Sequence, residues 1–179
     1  MSGRVMRTAL VIAGVIAAGF VFQRLFGGEK AVVGKLVAGQ PVAVIGSGSD
    51  AVGVAVNGQV LSEFQLPEEP GLPQLSLSTP PKDGRLKGPA LEQVKVLAAT
   101  PPALFPYVEG SYFGESGVDV NLVSGGELRF GSAAQAARKW RAAAAVLADP
   151  SLTTFDYVDL HAPAHPAVGG SGHTLPPPP

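Results

Sequence analysis

His161 and His165 stand four apart, the spacing at which a helix would turn two imidazoles toward one metal ion. Pro163 and Pro166 forbid that helix, because each proline ring removes a backbone donor and crowds the turn before it, and no third ligand stands near. Both histidines therefore read as loop or surface residues. Asp156 and Asp159 are three apart in a segment of strand composition, where side chains alternate, so they point to opposite faces and make no acid/base pair. Glu68-Glu69 lies among prolines and reads as a solvated charge pair. Ser47 and Ser49 sit between glycines, but the G-x-S-x-G elbow that presents a nucleophile is absent. The chain has no cysteine, which removes disulfides, thiolate chemistry and Cys-ligated metals together. No residue is assigned a catalytic, cofactor-binding or metal role, and no enzyme activity or small-molecule substrate is expected.

One sharper pattern needs a structural test. GSGSDA at residues 46–51 fits the loose dinucleotide fingerprint directly after the apolar run PVAVI, with Glu63 at a plausible ribose distance. A cofactor site would require a helix after it. Instead Val52, Val54 and Val56 alternate with small residues and lead to Asn57-Gly58, the strongest short-range hairpin signal, so two strands are expected. The dinucleotide enzyme remains the alternative that a helix at residues 50–62 would revive.

The elements around these residues are clearest at residues 118–168. VDVNLVSGGELRFG reads as a hairpin with Val118, Val120 and Leu122 on one face, joined by Leu128 and Phe130 across the turn at Ser124-Gly125-Gly126. A helix follows. Ser132 and Gln135 have capping-box spacing, and Ala133, Ala136, Ala137, Trp140, Ala143, Ala144 and Leu147 form an apolar stripe flanked by Arg138, Lys139 and Arg141. Asp149-Pro150 stops it. Phe155, Tyr157, Val158 and Leu160 then make a strand, and Trp140 reads as core.

Upstream, residues 66–89 are rich in proline and glycine and read as a long irregular connection pinned by Leu72, Leu75 and Leu77. Pro89 suits the first turn of a helix whose buried stripe is Leu91, Val94, Leu97 and Ala98, ended by Thr100-Pro101-Pro102. Residues 104–112 lead back into strand, with Tyr107, Val108 and Tyr112 packing. Gly, Ser and Pro dominate residues 169–179, which read as a disordered tail.

The 179 residues carry 46% hydrophobic and 15% charged positions and a net charge of -1, enough for one domain with appendages. Basic residues are scattered, so nucleic acid is not an expected partner. Between Thr8 and Gln23 there is no charge, and Leu25 and Phe26 extend the apolar run past Arg24, which reaches the ~17 residues that span a bilayer. Ala17-Ala18-Gly19 could be a signal-peptide cleavage site. The apolar Phe20, Val21 and Phe22 that follow favour a retained anchor, and Arg4 and Arg7 favour a cytoplasmic amino terminus.

The ordered pattern from Pro41 onward resembles the extracytoplasmic β-domain of the FtsQ/DivIB family of bacterial division proteins. The matching residues are the Pro-Val-Ala-Val start at 41–44, Leu72-Pro73-Gln74-Leu75, the Gly125-Gly126 turn, Gly131-Ser132, Lys139 in a helix, and Val158-Asp159-Leu160-His161 before Ala167-Val168. His161 stands where that family commonly has Arg. The resemblance implies an α+β fold: a single transmembrane helix, then a small, mostly antiparallel β-domain with two helices packed on the sheet. The expected organisation is a cytoplasmic amino terminus at 1–7, an anchor at 8–26, a connector at 27–40, the β-domain at 41–168 and the tail at 169–179. The POTRA domain usual in that family does not fit in the connector.

The resemblance further implies a non-catalytic, membrane-anchored scaffold at the division septum of the bacterial plasma membrane. It would bind FtsB-like and FtsL-like partners by strand addition to an edge within residues 153–168, through Phe155, Tyr157, Leu160, His161, Ala167 and Val168. Pro163 and Pro166 would remove ladder donors there. The other reading is an anchored structural subunit of a different envelope, secretion or transfer apparatus built on the same domain.

Overall fold

The computed structural model describes residues 40–63, 66 and 71–174. The expected anchor at 8–26, Glu68-Glu69 and the terminal prolines lie outside them. None of the described helices is long and apolar enough to cross a membrane.

β1, Pro41–Ile45, is followed by a three-residue 3-10 turn at Gly48–Asp50 and then by β2, Val52–Ala55. No helix follows the glycine-rich turn, so there is no helix N-terminus to receive a pyrophosphate, and the dinucleotide alternative falls. The chain instead turns at Asn57-Gly58 into β3, Val60–Leu61. Gly58 N donates to Ala55 O at 2.8 Å and Gln59 N to Asn57 Oδ1 at 3.0 Å, an Asx turn made by the asparagine the hairpin signal rests on.

The proline-rich connection contains a strand that its composition hides. Gln74 and Leu75 form β4, which lies parallel between β1 and β5, Val108–Gly114, and buries Leu75 in the core. Helix α1, Gly88–Ala98, begins with Pro89 in its first turn. It buries Val94, Val96 and Leu97, and Gln93 too, whose Oε1 accepts from Ser111 Oγ at 3.2 Å. Val96 joins the expected stripe, and Leu91 and Ala98 lie at its margin.

The remaining elements are β6, Gly117–Leu122; β7, Glu127–Gly131; helix α2, Ala136–Leu147; β8, Thr154–Asp159; and β9, Ala167–Thr174. They complete one nine-stranded sheet in the order β3-β2-β1-β4-β5-β6-β7-β8-β9. The joins β1/β4, β4/β5 and β7/β8 are parallel and the other five antiparallel.

The two crossovers decide which face is covered. α1 links the parallel neighbours β4 and β5, and α2 links β7 and β8, each stepping the same way along the sheet. β5 and β7 both run opposite to β6, so all four strands point the same way. Right-handed crossovers then place both helices on one face. Their contact confirms it: Trp140 Nε1 on α2 donates to Val96 O on α1 at 2.8 Å, and Glu92 Oε2 on α1 accepts from Ala133 N at 3.0 Å. The Trp140 ring is fully buried, with its centroid 4.8 Å from that of Phe130.

Helix α2 departs from expectation at its start. Ser132 makes no capping bond; the helix begins at Ala136, after Gln135 in the left-handed region at φ 59°. A box at Ser132 does not form because left-handed Gln135 keeps residues 133–135 out of the helix; Glu92 on α1 separately accepts the Ala133 amide. Lys139 does not flank the buried stripe but belongs to it, being 5% exposed, with Nζ donating to Phe130 O at 2.6 Å and Ser132 O at 3.0 Å. Burial lowers its pKa. Ala137 is exposed instead. Replacing Trp140 with Ala opens a cavity at the helix–helix–sheet junction and should cost about 3–5 kcal/mol. A urea midpoint within error of the parent would refute that weight on the indole.

Candidate functional site at the outer strand

The largest departure from sequence expectation lies at the carboxy-terminal side of the domain. Residues 169–174, expected as disordered tail, form most of β9, paired antiparallel with β8. Glycine-rich sequence has no intrinsic strand signal, but β8 presents an aligned row of backbone groups, and pairing with them satisfies β9's own. β9 ends the sheet, and among the described residues nothing pairs with its far side. Pro163 and Pro166 lie in the connection before it, where His165 N donates to Ala162 O at 2.8 Å, so they turn the chain and do not block the edge.

The six residues expected to meet a partner separate accordingly. Phe155 and Leu160 are 0% exposed and their side chains belong to the hydrophobic core. Their buried side chains offer no surface of their own. Tyr157 is half-buried on the face opposite the helices, and His161 is exposed just beyond the end of β8. Ala167 and Val168 stand on the outer strand, both exposed, with Val168 at 44% one of the few large apolar side chains left in water.

The helix-free face is organised by register. One row crosses the strands as Asn121, Glu127, Tyr157 and Gly169, and the next as Tyr112, Asp119, Arg129, Asp159 and Ala167. Neighbours in these rows interlock. Tyr112 OH donates to Glu127 Oε1, Arg129 Nε donates to Glu127 Oε2 at 2.9 Å, and the Arg129 guanidinium lies 3.8 Å over the Tyr157 ring. Tyr157 in turn covers Gly169, where an added Cβ would come within 2.4 Å of the ring. The network thus carries position from β5 out to the edge strand.

Charges on this face are held unequally. Burial raises the pKa of Asp119, with Glu127 adding to it, and Asp119 Oδ1 is buried with no hydrogen-bond partner. Burial and the bond to Glu127 likewise raise Tyr112. Burial disfavours the charged form of Asp159, yet the His161 backbone N–H at 2.9 Å and ring Nδ1 at 2.7 Å outweigh it and hold the carboxyl below its ordinary value. The same Asp159 bond raises His161, helped by Ser116 O at 3.3 Å from Nε2. His161 therefore buttresses the end of β8. A wide groove of about 700 Å³ opens over β4, β5 and β6, lined by polar groups including Gln74, Ser76, Glu109, Tyr112 and Asn121. Among the described residues no three metal-ligating side chains converge.

The domain is thus an open nine-stranded sheet with helices on one face, an interlocked polar network on the other and an outer strand whose far side nothing pairs among the described residues. Residues 43–161 match the family described as Cell division protein FtsQ/DivIB, C-terminal, and that match spans more than half of the chain. The protein belongs to the FtsQ/DivIB family of cell division proteins. No curated protein matches the chain. The family match ends at His161, before β9, so the outer strand is seen in the tertiary structure alone.

Two outcomes test this geometry. Gly169→Ala drives a methyl into the Tyr157 ring and should cost about 1–3 kcal/mol in urea denaturation; no loss would show that the ring moves aside freely. His161 has a raised pKa, so its contribution is complete below the ordinary imidazole value of 6.5 and lost as pH climbs through the raised one. Asp159 has a lowered pKa, so its contribution is complete above 3.8 and lost as pH falls through the lowered value. The pair stabilises most between those ordinary values. His161→Ala should lower the melting temperature near pH 5.5 and hardly at all near pH 8.5, about two units above the ordinary imidazole pKa; equal losses at both would remove the ion pair from the account.

Proposed function

We propose that this division protein is a membrane-anchored, non-catalytic scaffold whose β-domain takes up a partner strand along β9. Residues 8–26 form the anchor in this reading, the amino terminus is cytoplasmic, and the domain from Pro41 onward works outside the membrane at the septum. FtsB-like and FtsL-like division proteins are the partners. The observation that supports the reading is the outer backbone edge of β9, unpaired among the described residues and carrying exposed Ala167 and Val168. An unpaired edge supplies hydrogen bonds to any added strand, while alternate side chains select it.

Successive N–H groups in a strand point to opposite sides, which makes adjacent prolines diagnostic. Of Ala167→Pro and Val168→Pro, one removes a bond to β8 and should lower the melting temperature. The other removes an outward donor and should leave the fold intact while abolishing co-purification with the FtsB-like and FtsL-like proteins and septal fluorescence of a tagged copy. Undiminished co-purification by both variants, or none by the parent, sinks the reading.

A further inference from the structure

β8 and β9 do not pair evenly. Between the pairs Tyr157↔Gly169 and Phe155↔His173, β8 advances two residues and β9 advances four, so two residues of β9 are surplus. They fall at a bulge centred on Gly170, which has φ 79°, a left-handed value that glycine alone adopts without strain. Asp156, opposite the bulge, holds it shut: its Oδ1 accepts the Gly172 N–H at 2.6 Å. The carboxylate takes the place a backbone carbonyl would have in a flat ladder. It also fills the space, since a Cβ on Gly170 or Gly172 would come within 1.9 Å or 2.5 Å of its oxygens.

This arrangement has a direct bearing on an exposed edge. A flat eight-residue outer strand without a charged side chain is a template for open-ended pairing, and a bulge bends the strand and breaks the even spacing of its donors and acceptors. Residues on the two sides of the bulge are then out of step with any single straight partner strand. We propose that the bulge held by Asp156 is an edge guard: it bars β9 from extended pairing with a second copy of this chain. What stays open is a short docking segment, residues 167–169, for a partner strand bearing an apolar side chain against Val168. The docking half of this inference rests on the strand-addition reading above; the guarding half does not.

Deleting Gly170 and Ser171 together tests the guard, because it restores one-to-one register from Thr154↔Thr174 to Asp159↔Ala167. The full chain, purified in mild detergent, should roughly double its light-scattering mass at concentrations where the parent does not. Asp156→Asn, which keeps an acceptor oxygen, should behave as the parent. Asp156→Ala should speed Gly172 amide exchange about tenfold or more. A deletion variant that melts cooperatively and stays at the parent's mass overturns the guard. If that variant does not fold, unchanged Gly172 exchange in Asp156→Ala overturns it instead. With the FtsB-like protein added to the parent, new amide protection confined to residues 167–169 supports the docking segment, and protection running on to Thr174 overturns it. No protection on β9, together with self-association of the deletion variant, sinks strand addition and leaves the guard standing.

Discussion

The Trp140 indole, donating to the Val96 carbonyl while its ring rests against Phe130, joins both helices to the sheet at one buried point. Each βαβ crossover alone would set its helix over two strands. The indole makes the two coverings continuous, and Glu92 reinforces it by accepting the Ala133 amide at the approach to α2. Lys139 closes the same region from below, its ammonium held by the carbonyls of Phe130 and Ser132. A buried ammonium is tolerated there because those carbonyls replace the water it lost.

Because both helices occupy one face, the domain is left with two kinds of unclaimed surface. The helix-free face is tied together by side chains, from Tyr112 through Glu127 and Arg129 to Tyr157. Nothing among the described residues pairs with the far side of β9. In the proposed strand addition, an edge already extended by pairing with β8 would gain little order on binding. The bulge at Gly170 limits how much of that edge is usable, and Asp156 places the limit.

Local signals carried much of the architecture. The alternation of Val118, Val120 and Leu122, the Asn57-Gly58 turn, Pro89 at a helix start and the stop at Asp149-Pro150 all act within a few residues, and each element stands where those signals put it. Where neighbours distant in sequence intervene, local signals misled. Ser132 has a capping-box partner at Gln135, yet Gln135 adopts a left-handed conformation and the helix starts only after it, while Glu92 from another helix takes the nearby Ala133 amide. Lys139 looks like a surface charge, yet its ammonium replaces solvent with two carbonyls that only the fold brings near. Phe155 and Leu160 lie in the segment expected to meet a partner, yet their side chains are packed in the core.

What the sequence determined by itself is the hairpins, the two helices and the apolar faces, because these rest on periodicity and turn chemistry along the chain; the family rests on the match over residues 43–161. The tertiary structure alone decided which strand is outermost. Residues 167–174 contain no alternating apolar pattern, and their extended conformation exists because β8 offers partners to their backbone while Tyr157 and Asp156 fit against Gly169 and Gly170. Such pairing is a property of two segments held side by side, and neither segment spells it out.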